Sequence, residues 1–275
     1  MSVAALLSLG GIGIAVGFMS GLVGIGGGVL IVPFLYFFYG QPWSGFTLDH
    51  AALVTVAHAT SLFIIVPTAA AGTITYSRAH LVAWKAALPI ATFSIVGAAV
   101  GATIALYLPG QLLSLAFGLF LIFTGVQLSK RRLRAGGKPL RLKLRVTAPM
   151  GLLVGLLSAI LGVGGGLVAI PMLLNVVRLE MQRVAATSLA VVMFAAATGT
   201  ATYVLSGLGA PGRPAGSIGF IHLTAAIPIL VGSLISVRWG AKANQRVNRR
   251  TLRRVFGIGF VSLGLWLAVN SAIDL

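Results

Sequence analysis

Apolar residues in this chain fall in ten blocks parted by short polar or basic stretches. The first five are Val3–Val23, Val29–Phe38, Ala51–Thr75, Leu81–Leu108 and Leu112–Leu128. The second five are Thr147–Leu161, Leu167–Val176, Val184–Leu205, Ile218–Val237 and Leu252–Ala272. Val3–Val23 as a helix would be about 31 Å long at roughly 1.5 Å per residue, enough to cross a bilayer. Val29–Phe38 and Leu167–Val176 would reach only about half as far. The pattern predicts an all-α polytopic membrane protein with about 8–10 membrane helices. Met1-Ser-Val-Ala lacks a basic n-region, so the first block is expected to be retained as a helix, not cleaved as a signal.

The blocks repeat. Ser20-Gly-Leu-Val-Gly-Ile-Gly-Gly-Gly28 returns as Ser158-Ala-Ile-Leu-Gly-Val-Gly-Gly-Gly166, and each copy is followed five residues later by a proline, Pro33 or Pro171. Gly24, Gly26, Gly27, Gly28 and Pro33 match Gly162, Gly164, Gly165, Gly166 and Pro171 at an offset of 138. Thr60-Ser61-Leu62 matches Thr187-Ser188-Leu189, and Gly72 to Tyr76 matches Gly199 to Tyr203, both at 127. Pro89, Gly101, Phe117-Gly118 and Gly125 match Pro228, Gly240, Phe256-Gly257 and Gly264 at 139. The order of these blocks argues for two membrane repeats, residues 1–128 and 147–275, joined by a basic linker at 129–146.

Composition agrees with the blocks. The chain is 58% hydrophobic and 8% charged, more apolar surface than a soluble core could use. It has no cysteine, which excludes disulfides, thiol chemistry and thiolate metal sites.

A net charge of +17 invites a nucleic-acid reading, but the placement of the cations argues against it. Fifteen of the twenty Lys and Arg lie in two stretches, from Lys130 to Arg145 and from Arg238 to Arg254, both between apolar blocks. Those are positive-inside positions, suited to contact with anionic lipid head groups. The loops 129–146 and 238–250 are therefore expected on the cytoplasmic side of the cell membrane. The first-half counterpart of the second loop, Tyr107 to Gln111, has no Lys or Arg and is expected outside, as are both termini. Equivalent loops on opposite sides make an inverted repeat. Thr147 and Arg178 are both inside, so the segment between them must turn back near Gly164–Gly166. Its partner would turn near Gly26–Gly28 from the opposite face, so that each repeat holds a broken, re-entrant helix pair and three spanning helices.

The glycine runs are the leading candidates for a site. A helix broken at membrane depth is tolerated only where it is buried in protein or lines a polar cavity. Paired breaks in two halves point to a transporter's binding site. The short helix after each break presents unpaired N–H groups and the positive end of its dipole, which suits an anion. Gly26, Gly27, Gly28, Gly164, Gly165 and Gly166 are the residues concerned; the alternative is close helix packing, as also for Gly97 and Gly101. Thr60, Ser61, Thr187 and Ser188 could donate to anion oxygens, or bond their own helix carbonyls. Asn175 could bind substrate or cap a helix end. Tyr76 and Tyr203 lie near element ends and read as interfacial aromatics.

His58 is the one titratable residue deep in a predicted span, and its repeat mate is Ala185. It could couple a proton to transport, or sit neutral against a backbone carbonyl. His50, His80 and His222 read as interfacial. Asp49, Glu180 and Asp274 are the only acids, all in loops or at the terminus. That argues against a cation pump or a divalent-metal transporter, which need carboxylate ligands. No cofactor and no metal is expected.

The doubled Gly-x-Gly-Gly-Gly-x4-Pro arrangement, the Thr-Ser-Leu pair and the basic central loop resemble the TauE/SafE family, over about Gly17 to Gly264. The resemblance implies a secondary exporter of sulfite or organosulfonates in the cytoplasmic membrane, a carrier and not an enzyme. It also implies that the matched glycines, with Thr60, Ser61, Thr187 and Ser188, belong to the site. The residues themselves leave two other readings open. One is a channel or permease for another small solute. The other is an intramembrane hydrolase using Ser20 with His58, for which no oriented acid is available. No Walker-type motif is present, so this chain does not itself hydrolyse ATP. The apolar exterior leaves a homodimer open.

Overall fold

The computed structural model describes residues 3–41, 50–130, 144–210, 213–244 and 249–273. Most of the basic linker, together with Asp49 and Asp274, lies outside the described residues. Helices dominate. The first half contains α1 (Val3–Val23), α2 (Gly28–Tyr39), α3 (His50–Arg78), α4 (Trp84–Tyr107) and α5 (Gly110–Lys130). The second contains α6 (Leu144–Leu161), α7 (Gly166–Asn175), α8 (Met181–Gly207), α9 (Leu223–Asn244) and α10 (Arg249–Ile273). Among the described residues, seven helices (α1, α3, α4, α5, α6, α8 and α9) are long and apolar enough to cross a membrane. The 12 residues of α2 and the 10 of α7 are too few.

Two stretches differ from the sequence expectation. The block beginning at Ile218 opens as a small antiparallel hairpin, β1 (Ser217–Ile218) with β2 (Ile221–His222), and α9 starts only at Leu223. Gly216 and Gly219 have φ of +81° and +57°, values that a helix excludes and a tight turn uses. The basic stretch read as a loop from Arg238 is instead helical through Asn244. Cations suit the C-terminal end of α9, where the dipole is negative, and their long stems let the charges reach water.

The two halves are interwoven around one core. The main pairings are α1 with α9, α4 with α6, α5 with α10 and α3 with α8, and every one joins one half to the other. Glycines set these approaches. A Cβ on Gly13 would meet Ile229 and one on Gly17 would meet Ser233, both on α9. The repeat mates do the same between α6 and α4: Gly151 faces Ile90 and Gly155 faces Ser94. Gly97 and Gly101 also serve close packing, against the backbone of Leu152 and Leu156. Helices in lipid gain little from hydrophobic exclusion, so backbone approach at small residues is the main attraction available.

Candidate functional site

The two glycine breaks meet. Gly24, Gly26 and Gly27 have φ between +79° and +88°, and Gly162, Gly164 and Gly165 between +65° and +79°. Side chains with a Cβ rarely adopt this left-handed backbone, so the glycines are what allow α1 and α6 to stop and α2 and α7 to start. Gly28 lies against the other break, where a Cβ would come within 2.6 Å of Val163 Cα. Gly166 lies against Ile25, the repeat mate of Val163, where a Cβ would come within 2.6 Å of Ile25 Cα. Gly26 and Gly164 both abut the same pair, Ile65 of α3 and Val192 of α8. The residues meeting at this crossing are uncharged.

Each short helix therefore begins at this buried crossing of the two breaks. Gly27 and Gly165 are the N-caps of α2 and α7, and neither helix has a side-chain cap. The first N–H groups of a helix have no intrahelical partner, so both termini present donors and partial positive charge to the crossing.

Ser20 and Ser158 flank these caps. A Cβ on Gly27 would lie 3.6 Å from Ser20 Cβ, and one on Gly165 would lie 3.0 Å from Ser158 Cβ. Both serines are fully buried, and neither hydroxyl has a hydrogen-bond partner. Ser20 lines a cavity of about 10 Å³ together with Gly27, Val29 and Phe260. That is close to the least space one water needs. As binding candidates these two serines were missed in the sequence. The signal was present, since each opens a glycine motif at matching positions.

The threonine–serine pairs hold the surrounding helices. Thr60 Oγ1 accepts the His222 backbone N–H at 3.0 Å, just before α9. Its mate Thr187 accepts the Ala83 N–H at 3.1 Å, just before α4. These hydroxyls cap other helices, which neither sequence alternative anticipated. Ser61 donates to the Gly162 carbonyl at 2.8 Å, while Ser188 is buried without a partner. Asn175 is not brought to the crossing; it is the exposed last residue of α7.

Tyr76 and Tyr203 are corrected by the structure. Both are buried, and neither is an interfacial aromatic. Tyr76 donates to the Gly21 carbonyl at 2.6 Å and Tyr203 to the Ala159 carbonyl at 3.1 Å. Those carbonyls stand at the ends of α1 and α6, where a broken helix leaves acceptors without partners. A hydroxyl from the neighbouring spanning helix supplies the missing donor.

His58 is fully buried in α3 against Gly162, whose Cβ would lie 2.8 Å from His58 Cα. Its Nε2 is hydrogen-bonded to Tyr36 Oη of α2 at 2.6 Å, and its ring meets Phe117 edge-on. The pair Tyr36–His58 has no counterpart in the second half, where Leu174 and Ala185 stand. Ser20 Oγ has no hydrogen-bond partner and His58 Nε2 is bonded to Tyr36, so Ser20 and His58 do not form a nucleophile pair. His222 is also buried rather than interfacial, with Nδ1 2.9 Å from Tyr39 Oη. His80 is exposed, and the side chain of His50 lies outside the described residues.

A family model described as sulfite exporter TauE/SafE matches residues 9–267. A probable membrane transporter protein of Methanocaldococcus jannaschii is 26% identical, over 93% of this chain and 92% of its own length. One of Xylella fastidiosa is 28% identical, over 98% of each chain. The probable membrane transporter protein YunE of Bacillus subtilis is 24% identical, over 93% of this chain and 94% of its own. No solved structure matches the chain.

Proposed function

The chain belongs to the sulfite exporter TauE/SafE family, a family of membrane transporters and not of enzymes, and on that premise we propose that it exports a small sulfur-containing anion. The substrate class is sulfite or an organosulfonate, moved outward across the cytoplasmic membrane by alternating access. The anion is held between the N-termini of α2 and α7, which enter an inverted repeat from opposite faces. Homologues named only as membrane transporters support the coarse function; the anion is argued from chemistry.

The observation that carries this reading is the pair of uncapped helix starts at the buried crossing, each flanked by a buried hydroxyl without a partner. In partly buried geometry each terminus contributes up to about 2 kcal/mol towards a negative charge. Two of them favour an oxyanion without burying a formal cation, whose desolvation would oppose release. Thr60, Thr187 and Ser61 support the frame of this site through the hydrogen bonds they make to its neighbouring backbone. The glycines pack tightly at the crossing, so binding requires the two breaks to move apart. That movement is the exchange between inward and outward access.

His58 is the proton-coupling group in this proposal. It is buried against the second break and tied to α2 through Tyr36, so its protonation state bears on both moving parts.

Flux in proteoliposomes tests the proposal. Vesicles loaded with sulfite, under a pH gradient of either sign, should release it at a rate that depends on the gradient. Gly27→Val and Gly165→Val should abolish release. Correctly folded protein that moves no sulfur oxyanion removes the proposed substrate, and passive flux indifferent to the gradient favours a channel instead.

A further inference from the structure

A groove lies on the surface of the protein between α3 and α9. The C-terminal halves of these helices border it, and its volume is about 780 Å³. Three cations, Arg78, Arg238 and Lys242, are among the residues that line it. All three are exposed, and Arg78 and Lys242 each close the last turn of their helix. Among the described residues the one acid is Glu180, which is the N-cap of α8 and does not line the groove. The cations are thus gathered without a carboxylate among them.

Apart from Thr75, whose hydroxyl is bonded to the Ala71 carbonyl, the rest of the lining is apolar. From Arg78 its floor runs back along α3 through Ile74 and Ala71 to Pro67. Those twelve residues of helix span roughly 16 Å, about half the hydrocarbon thickness of a bilayer. Small residues make the trough: Ala70 and Ala71 leave space beside Ile74, which is 54% exposed. Trp239, 61% exposed, follows Arg238 at the same level, where an indole ring suits the head-group region. A free inorganic anion would need the cations but not the apolar run. A phospholipid needs both, its phosphate at the cations and an acyl chain along α3.

We propose that this groove binds one anionic phospholipid, its phosphate held by Arg78, Arg238 and Lys242 and an acyl chain lying over Pro67, Ala71 and Ile74. The lipid would bridge the end of α3 to the end of α9, helices contributed by different halves. This inference stands independently of the transported substrate.

Native mass spectrometry and thermal unfolding of the full chain in detergent, titrated with dioleoyl-phosphatidylglycerol or dioleoyl-phosphatidylcholine, test it. One tightly bound phosphatidylglycerol with a raised unfolding temperature is expected, and no equal effect of phosphatidylcholine. The triple variant R78Q/R238Q/K242Q should bind phosphatidylglycerol at least about tenfold more weakly, each cation near the surface adding to attraction. K85Q/R145Q/R178Q, three exposed cations elsewhere, should bind it like the wild type. Ala71→Phe should weaken the dioleoyl lipid while leaving the charges in place. Equal binding of both lipids, or equal loss in both triple variants, overturns the site as a general surface effect. Protection by inorganic phosphate as strong as by the lipid overturns the lipid in favour of a free anion.

Discussion

A buried hydroxyl with no partner is an unfavourable feature that a merely structural serine would lose at no cost. Ser20 and Ser158 both have it, at matching positions beside the two helix starts. Replacing either with alanine removes an unsatisfied polar atom, so stability should stay level or rise slightly. If the hydroxyl donates to the anion, transport should fall about tenfold to a hundredfold, the value of roughly 1.5–3 kcal/mol for a hydrogen bond to a charged group. Unfolding temperature and sulfite flux measured on the same preparation check both parts. A variant that is destabilised and transports normally reverses the argument. His58 yields a separate prediction at this scale. His58→Gln keeps a polar side chain opposite Tyr36 but cannot carry a proton at neutral pH. Downhill flux should persist while its dependence on the pH gradient disappears. Retention of the dependence would make Tyr36–His58 a structural pair. The matching positions of Ser20 and Ser158 were legible in the sequence, but their lack of a partner was not, because it depends on which helices surround each hydroxyl. The same holds for Tyr76 and Tyr203. Their position near block ends suggested the interface, but the carbonyls they satisfy belong to α1 and α6, far away in the chain.

At the scale of elements, the apolar blocks were enough to locate every helix. Val3–Val23 was read to the residue, and most others lie within a few positions of their observed ends. Errors arose where hydrophobicity and backbone geometry part company. Ile218 to Ile221 is apolar but turns at Gly219, and Arg238 to Asn244 is polar but stays helical. Helix partners were beyond reach, since Gly-x-x-x-Gly spacing shows that a helix can be approached closely without showing by which neighbour. The structure makes that choice testable. Gly17→Ala would drive a methyl group into the α9 backbone at Ser233, and Gly155→Ala would do the same at Ser94 of α4. Each should cost about 1–3 kcal/mol, as overpacking does in a close-packed interior. Gly10→Ala, in α1, meets nothing within 4 Å and should be close to neutral. Thermal unfolding of the three variants checks this. Equal effects at Gly10 and Gly17 would contradict the α1–α9 packing.

For the whole molecule, the matched contacts carry a consequence for orientation. Gly28 meets Val163 while Gly166 meets Ile25; Tyr76 reaches Gly21 while Tyr203 reaches Ala159. Such reciprocity is what a two-fold axis through the crossing produces. Whether the axis lies in the membrane plane decides how the protein could transport. An axis in the plane makes α2 and α7 half-spans from opposite faces, so rocking one half against the other opens each side in turn. An axis along the membrane normal would bring both breaks from the same face and leave no such alternation. The ends of α4 and α9, which are repeat mates, separate the cases. Tyr107 closes α4 and is 85% exposed; Lys242 lies in the last turn of α9 and is exposed. Since the chain has no cysteine, Tyr107→Cys and Lys242→Cys each introduce a single thiol. In intact cells a membrane-impermeant maleimide should label Tyr107→Cys and leave Lys242→Cys untouched until the membrane is permeabilised. Labelling of both from outside, or of neither, would put the two ends on one face. The crossing of α2 and α7 would then remain, but the alternating-access mechanism built on it would not.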